Sequence, residues 1–278
     1  MPRDLNEVLE NTERFFKLLV DHGVLDKTAR LVRVSRKSTI KSEPSKNLTA
    51  GSLSITYVND EKEDEQVLNV FCKFQTGRGM PLWLQALRQA AEPNVSREVD
   101  FYSKVQPSLD GVIVTPQPLL TAKLPWFNYV LLVLEYIDLE AEVARVVNDG
   151  DGATLTEISA MMHGAAKLHS WFALGQHAEV YSWIPARSGL QFAQFVDSFV
   201  DRKDNVWSVE VWQALRNRFA SSPVTLVHGD CRPGNMMFTT MDRSAQQKAI
   251  FADWEAVNVG PFLWDLTYCT TLGWPAKV

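Results

Sequence analysis

Cysteine is scarce in this sequence, and the cysteines that are present lie far apart. The chain has 278 residues and three cysteines, Cys72, Cys231 and Cys269, with no Cys-x-x-Cys pair. This excludes a disulfide framework, and reduced thiols in a cytosolic protein are the expectation. Positive charge is also not in excess: the formal net charge is -5. A nucleic-acid-binding protein is usually basic, so no nucleic-acid partner is expected.

Long hydrophobic runs are absent too. The longest strongly apolar run, Val130 to Leu134, is far too short to cross a bilayer. The charged N-terminus, MPRDLNEVLENTERFF, does not have the apolar core and cleavage site of a signal peptide. We therefore expect a soluble cytoplasmic protein without membrane insertion. Its oligomeric state stays open.

Two common catalytic motifs are missing as well. The sequence has no Walker loop of the form G-x-x-x-x-G-K-[ST] and no G-x-S-x-G nucleophile elbow. The five histidines are too scattered to suggest a zinc triad. This leaves the acidic and amide side chains as candidates for chemistry.

The pattern of apolar residues predicts an α+β protein with two lobes. An N-terminal helix over Leu5–Val20, stopping at His22-Gly23, is followed by β-rich runs and a helix in VSREVDFYSKV. VIVTPQPLL and YVLLVLEYI read as further strands, with the acidic segment NDEKEDEQ as a solvated hairpin connection. Residues 1–137 are thus predicted to form a β-rich lobe with an N-terminal helix.

Residues 138–278 read as a mainly helical lobe. Thr154 and Glu157 form a capping-box pattern at the start of a long helix. His169 falls on the apolar face of that helix, where we expect a hydrogen-bonded core residue. LQFAQFVDSFVDR and VWQALRNRFA are predicted helices, and Met236–Phe238 and Ala249–Ala252 a strand pair.

The polar stretch VHGDCRPGNMMF carries the candidate chemistry. Asp230 and Asn235 have the D-x-x-x-x-N spacing of a kinase catalytic loop, and Asp253 follows eighteen residues after Asn235, directly after an apolar run. A hairpin between them would return Asp253 beside Asn235. One amide and one carboxylate oxygen suit Mg²⁺, which takes hard oxygen ligands and few from protein. A polar turn between two strands is the plainer alternative.

A cation and an acid complete the set that phosphoryl transfer needs. Lys73 ends the apolar run VFCKF, where an unpaired ammonium would be costly. Glu98 lies twenty-five residues later, on the same helix face as Phe101, Tyr102 and Val105. The two residues are therefore predicted to pair.

With these motifs in order, the chain resembles the aminoglycoside phosphotransferase and choline kinase superfamily of protein-kinase-like folds. HGDCRPGN, FADWE and GPFLWDLTY carry the resemblance, with CKF, REVDFY, LVLEYI and KLHSWF in support. It runs from about Leu48 to Tyr268 and is strongest toward the CHK, or ecdysteroid-kinase-like, type. The resemblance implies an ATP-dependent enzyme that phosphorylates a hydroxyl of a small molecule, with ATP and Mg²⁺ as cofactors.

The resemblance also implies roles for single residues. Asp230 would be the catalytic base, Asn235 and Asp253 the magnesium ligands, and Lys73 and Glu98 the ion pair at the α- and β-phosphates.

Further roles concern the loops. Arg232 would meet the γ-phosphate, His228 would brace the catalytic loop through hydrogen bonds, and Asp265 would anchor it. NLTAGSLSITYV would be the phosphate-covering hairpin, with Gly51 at its tip beside Ser52. Glu135 and Ile137, in the connector between lobes, would offer backbone groups to adenine.

A protein kinase fits less well. HGD stands in place of HRD and DWE in place of DFG, six residues separate Asp253 from Gly260, and there is no A-P-E. Two other classes stay open: a catalytically weak nucleotide-binding protein or fragment with a scaffold role, and a metal-dependent phosphoesterase.

The C-terminus departs from the family pattern. Members continue for several helices after the DL motif, whereas this chain stops thirteen residues after Asp265. We therefore expect either a fragment with a truncated helical lobe or an unusually open acceptor site, with apolar surface exposed around Trp264, Tyr268 and Trp274. The acceptor, whether choline, an aminoglycoside, a sugar or a steroid, is left open.

Overall fold

The structure is a computed structural model that describes residues 4–43, 48–60, 62–76, 95–124, 129–138, 143–147, 152–173, 184, 208–239 and 247–271. The chain forms two compact units. Unit 1 comprises Met1–Ser103 and Pro116–Ile137, and unit 2 comprises Lys104–Thr115 and Asp138–Val278. The segment Lys104–Thr115 thus groups with the second unit, although the sequence-based division placed it in the first.

Unit 1 begins with two short helices where the sequence predicted one. They are α1 (Leu5–Glu10) and α2 (Thr12–Asp21). Asn11 separates them because its backbone leaves the helical region and its side-chain oxygen accepts a hydrogen bond from Arg14 N. Asparagine at the N-cap competes with helix continuation in this way.

The main element of unit 1 is a five-stranded antiparallel sheet in the order β1-β2-β3-β5-β4. The acidic segment predicted as a connection is largely strand: β2 and β3 are separated by two residues, and Asp64 and Glu65 are exposed positions within β3. The strands are β1 (Arg30–Glu43), β2 (Leu48–Asn59), β3 (Lys62–Gln75), β4 (Pro118–Leu124) and β5 (Tyr129–Glu135).

Of the predicted strand VIVTPQPLL, only the last three residues, from Pro118, are strand. Strand β4 begins at Pro118, and Val114 makes an isolated bridge to Ile250 within unit 2. Pro116 and Pro118 supply no backbone N–H, and proline is compatible with the first position of a strand but not with its interior.

Helices α1 and α2 pack on one face of the sheet and close the core of unit 1. Their buried residues meet the inward-facing residues of β2, β3 and β5 in one apolar cluster. Cys72 lies in this cluster, and burial raises the pKa of its thiol far above the ordinary value. Helix α3 (Val95–Lys104) buries Glu98, Phe101 and Tyr102, as its predicted face required.

Unit 2 combines helices with two small antiparallel sheets. Its helices are α4 (Leu155–Ala173), α5 (Val209–Ser221) and α6 (Leu263–Thr271). One sheet pairs β7 (Val224–Val227) with β10 (Asn258–Pro261), and the other has the order β6 (Val143–Val146), β8 (Met236–Thr239), β9 (Ala249–Phe251). The segment predicted as a helix over residues 190–202 lies outside the described residues.

Helix α4 organises this unit. The predicted capping box is confirmed, since Thr154 Oγ1 accepts from Glu157 N at 3.2 Å and Glu157 Oε2 accepts from Thr154 N at 2.7 Å. The helix packs against β7 and α6. Within the described ranges, no helix has both the length and the apolarity needed to cross a membrane.

Candidate active site

The catalytic-loop motif follows β7 directly and runs through a 3₁₀ turn at Pro233–Asn235 into β8. The five-residue spacing between Asp230 and Asn235 folds the amide back onto the acid. Asn235 Nδ2 donates to Asp230 Oδ2 at 2.8 Å and to Asp230 O at 2.9 Å. Arg232 Nε also donates to Oδ2, at 3.3 Å. The two predicted catalytic residues and one predicted metal ligand are therefore in direct contact.

Gly229 makes the sharp entry into this loop possible. Its φ is +86°, in the left-handed region that favours glycine. A Cβ at this position would overlap the backbone carbonyl of Ala256 and lie 2.9 Å from Asn258 Nδ2. Both the backbone conformation and the space therefore require glycine between His228 and Asp230.

Asp265, in the first turn of α6, holds the start of the loop from a fully buried position. Its Oδ2 accepts from the backbone N of His228 at 2.8 Å, and its Oδ1 accepts from Gly229 N at 3.0 Å. His169 Nε2 on α4 also donates to Oδ2, at 3.0 Å. The carboxylate thus joins α6, the catalytic loop and α4.

The His228 ring connects the loop to the segment that precedes Asp253. Its Nε2 donates to Ala252 O at 2.9 Å, and its Nδ1 accepts from Asp230 N at 3.4 Å. Since a carbonyl only accepts and a backbone N–H only donates, this arrangement uses the neutral imidazole protonated at Nε2. The ring also packs on Trp254, with centroids 4.5 Å apart.

Asp253 follows β9 in an unusual backbone conformation. Among the described residues, Asp253 is the one residue other than glycine that has a positive φ; its φ is 62° and its ψ is 61°. Aspartate tolerates this left-handed region better than most residues. The backbone of Ala252 donates to Asn235 O at 3.1 Å, so the turn that carries Asp253 is bonded to the residue predicted as the other metal ligand.

Lys73 and Glu98 form a buried ion pair within unit 1. Lys73 Nζ lies 2.7 Å from Glu98 Oε2, and the two side chains are 9% and 0% exposed. Strand β3 presents the lysine and helix α3 the glutamate. The sequence-predicted partners are therefore in contact across twenty-five residues.

Gly51 is not at a hairpin tip, which corrects the sequence-based assignment. It lies within β2, paired with Thr39 on β1 and Cys72 on β3. Its neighbour Ser52 is fully buried, and the Ser52 hydroxyl lies 2.7 Å from that of Ser38. The strands continue past Gly51: β2 stays in regular register with β3 there and also pairs with β1, which has an irregularity between Thr39 and Lys41. The connection between β1 and β2 falls at residues 44–47, outside the described ones.

Glu135 and Ile137 lie at the end of unit 1. Glu135 N donates to Gln117 O at 2.9 Å, and Glu135 Oε1 accepts from Gln117 N at 2.8 Å. The Glu135 N–H is therefore already used within unit 1. Ile137 is half-buried.

Two features of the site were not predicted from sequence. Trp264 is buried rather than exposed, because its Nε1 donates to Gly229 O at 2.8 Å and its ring lies 5.1 Å from that of Tyr268. Trp274 lies outside the described residues. His169 was predicted only as a satisfied core residue, and its partner is Asp265. Neither tryptophan content nor helix periodicity signals these bonds.

Cys231 follows Asp230 but is not arranged as a nucleophile. Its Sγ lies 3.2 Å from Cys269 Sγ, and both residues are buried. The hydrogen bond with Cys269, burial and the nearby Asp265 carboxylate raise the pKa of Cys231 well above its ordinary value. A thiol that stays protonated is a poor nucleophile, so this cysteine is a packing residue of the loop.

Comparison with known proteins identifies the family. A model of the phosphotransferase enzyme family matches residues 66–278. No curated protein matches the chain in sequence. Among solved structures, a GDP complex of an aminoglycoside 2'-phosphotransferase-IIIa mutant is 12% identical with a TM-score of 0.48, covering 93% of this chain and 76% of that one.

A second similar structure is the macrolide 2'-phosphotransferase MphH from Brachybacterium faecium. It is 16% identical with a TM-score of 0.46, covering 94% of this chain and 77% of that one. The family match, with the five-stranded antiparallel sheet and the helices of unit 2, confirms the predicted α+β, protein-kinase-like class. The chain therefore belongs to the phosphotransferase enzyme family.

Proposed function

We propose that the protein transfers the γ-phosphate of ATP to a hydroxyl group of a small-molecule acceptor, with Mg²⁺. The proposal rests on two hydrogen bonds of Asn235. Its side-chain amide donates to Asp230, and its backbone carbonyl accepts from the backbone of Ala252, the residue before Asp253. An acid, an amide and a second acid held in this order supply a base and two hard metal ligands.

Asp230 is proposed as the base that accepts the hydroxyl proton. Both Asn235 and Arg232 donate to its Oδ2, which leaves Oδ1 for the acceptor hydroxyl. The side chain is one-third exposed, so a substrate can reach it. Arg232 carries a positive charge beside the base, and we assign it to the γ-phosphate.

Asn235 and Asp253 are proposed as the magnesium ligands, and their chemistry fits this ion. Because Asn235 Nδ2 is bonded to Asp230, the amide oxygen is the side-chain atom that remains for a cation. An amide oxygen and a carboxylate are the hard donors that Mg²⁺ prefers. When bound, the ion would neutralise charge on the phosphates.

The nucleotide-binding part of the proposal lies in unit 1. Lys73, fixed by Glu98, would contact the α- and β-phosphates. The connector would face adenine. Because the Glu135 N–H is already bonded to Gln117, Glu135 would contribute its carbonyl. Ile137 would then offer its backbone groups to adenine.

Two finer points extend the proposal. HGDCRPGN and GPFLWDLTY favour the CHK, or ecdysteroid-kinase-like, type, while the acceptor stays unassigned among hydroxyl-bearing metabolites. A catalytically weak nucleotide-binding protein is the second candidate. The contact between Arg232 Nε and Asp230 Oδ2 favours it, since this contact occupies one carboxylate oxygen of the proposed base.

The test is a phosphorylation screen with γ-labelled ATP, Mg²⁺ and a panel of hydroxyl-bearing metabolites, run on wild type and Asp230→Asn. We expect turnover to fall about 100-fold or more in the variant, the usual scale for loss of a general base. ATP affinity should stay within about threefold, because the base does not bind the nucleotide.

Asp60→Asn is the matched control, an equal change at a side chain that is 63% exposed. Wild-type turnover in Asp230→Asn would remove Asp230 from the mechanism. ATP binding without transfer to any acceptor or to water would favour the second candidate.

A further inference from the structure

We propose that Asp100 and Lys123 form a positioning pair for helix α3. By fixing the helix on the sheet, the pair keeps Glu98 in contact with Lys73. Lys123 Nζ on β4 lies 2.5 Å from Asp100 Oδ2 on α3, and each of the two side chains is 24% exposed. The inference rests on the proposed role of Lys73 at the phosphates of ATP. It adds a second ion pair, through which the position of α3 controls that lysine.

The two lysines that meet α3 project from the same face of the sheet. Lys73 on β3 pairs with Leu132 on β5. Lys123 on β4 pairs with Val130, two residues before Leu132 on β5. Side chains two residues apart on a strand share a face, and so do those of cross-strand partners. The alternate residues of β5 belong to the apolar cluster that α1 and α2 close on the opposite face. Helix α3 is therefore anchored to the other face, at β3 and at β4.

Glu98 and Asp100 leave the helix on opposite flanks. Two residues correspond to about 200° around an α-helix and to about 3 Å along its axis. Strand β5 lies between β3 and β4, so the two lysines start from strands that are about 10 Å apart. One carboxylate thus reaches the sheet on each side of the helix axis.

Two anchors on opposite flanks restrain rotation of the helix about its axis, whereas a single anchor can act as a pivot. The outer atoms of a helix lie about 5–6 Å from its axis, so a rotation of about 30° moves them by about 3 Å. A movement of that size would separate Glu98 Oε2 from Lys73 Nζ, which lie 2.7 Å apart. The same rotation would also break the contact between Asp100 and Lys123. The second pair therefore opposes the movement that would release the Lys73 ammonium.

Packing of α3 is the competing explanation for its position. Val99, Phe101 and Tyr102 are buried, and a partly exposed ion pair contributes little to the free energy of unfolding. If packing alone held the helix, loss of the pair would leave the environment of Lys73 and the affinity for nucleotide unchanged. If the pair positions the helix, its loss makes Lys73 more accessible while the protein stays folded.

The experiment uses charge reversal, because reversal of both partners restores their attraction. The variants are Lys123→Glu, Asp100→Lys and the double variant, and each is compared with wild type by two measurements. The first is the rate at which acetic anhydride acylates Lys73 in the folded protein, followed by mass spectrometry. The Lys73 side chain is 9% exposed, so faster acylation reports its release from Glu98. The second is the dissociation constant of the non-hydrolysable ATP analogue AMP-PNP in the presence of Mg²⁺.

For each single reversal we expect acylation of Lys73 to be about threefold faster and the affinity for AMP-PNP to be about fivefold lower. A factor of five corresponds to about 1 kcal/mol, the upper end of the range for such pairs. The double variant should return both values to within about twofold of wild type. Arg30→Glu is the control and should change neither value, since it reverses a charge in the same sheet at a pair that is 73% and 63% exposed.

Three results would overturn the proposal. Wild-type acylation and affinity in the single reversals would show that packing alone positions α3. Losses that the double variant does not restore would show that the two side chains do not act as a pair. Faster acylation with unchanged affinity would show that the pair has no role toward the nucleotide. If a reversal variant does not fold, Lys123→Gln replaces it, and wild-type acylation of Lys73 in that variant would overturn the proposal.

Acylation is measured without nucleotide, which separates failure of this inference from failure of the proposed function. If wild type does not bind AMP-PNP, the proposed nucleotide site fails, and acylation of Lys73 alone decides whether the pair positions α3. If wild type binds AMP-PNP while the single reversals change neither measurement, the positioning role is overturned and the proposed function stands.

Discussion

The buried pair of Lys73 and Glu98 gives the sharpest test of the structure, because each single change removes one member of a desolvated ion pair. The ions lie 2.7 Å apart, with side chains 9% and 0% exposed. Removing one member of such a pair costs about 3–5 kcal/mol of unfolding free energy. We therefore expect Lys73→Met and Glu98→Met each to lower Tm by about 6–20 °C.

The double variant should behave differently. With both charges gone, two apolar side chains of similar length replace a desolvated pair, and such replacements are neutral or stabilising by about 1–4 kcal/mol. The coupling between the two substitutions, measured by urea unfolding of all four proteins, should thus amount to several kcal/mol. The surface pair Arg30 and Asp60 is the control, since its side chains are 73% and 63% exposed and such pairs contribute little.

Nucleotide binding separates the structural role of the pair from its proposed role at the phosphates. Wild type should gain Tm on addition of Mg-ATP, because a ligand that binds only the native state stabilises it. The double variant should regain stability and still show no such gain, since the ammonium is missing. Additive single effects would show that Lys73 and Glu98 are not coupled. An undiminished Mg-ATP shift in the double variant would remove Lys73 from the nucleotide site.

Two further predictions concern the loop and the core of unit 1. Gly229→Ala should lower the free energy of unfolding by more than the roughly 1–2 kcal/mol of a left-handed site with open space, because its methyl group would overlap the Ala256 carbonyl. Gly111→Ala, with φ +73° and open space, is the control, and equal losses of unfolding free energy by urea unfolding would contradict the geometry. Burial, with a further contribution from Glu7, raises the pKa of Tyr129, so its hydroxyl stays neutral in the folded protein and ionises first in the unfolded chain, above about pH 10. The stability that this pKa difference provides is present below that pH and is lost as pH rises. Tyr129→Phe should therefore weaken the fall in unfolding free energy between pH 9 and 11. An unchanged slope of unfolding free energy against pH would refute the role of Tyr129.

Local patterns allowed much of the fold to be predicted. The capping box at Thr154 and Glu157 formed as expected, because both of its bonds join residues three apart on one helix turn. The predicted helix Leu5–Val20 missed the break at Asn11, since apolar spacing does not register a side chain that bonds to the backbone. Periodicity therefore predicted the elements better than their ends.

The error at Gly51 has a related cause. A glycine in a β-rich stretch was read as a turn, but glycine also occurs inside strands where backbones approach closely. Gly51 pairs with Thr39 and Cys72, so the sheet continues through it. Which reading holds depends on the register of three strands, and a single sequence does not contain that register.

The residues around Asp230 show why one half of the site was open to prediction and the other was not. Asp230 and Asn235 are five residues apart, so a short loop brings them together whatever the rest of the chain does. His169 and Asp265 are ninety-six apart, and only the packing of α4 against α6 makes them neighbours. A buried polar side chain must find a partner, so sequence alone tells that His169 has one. The tertiary fold decides which one, and here it is the carboxylate that also holds the catalytic loop.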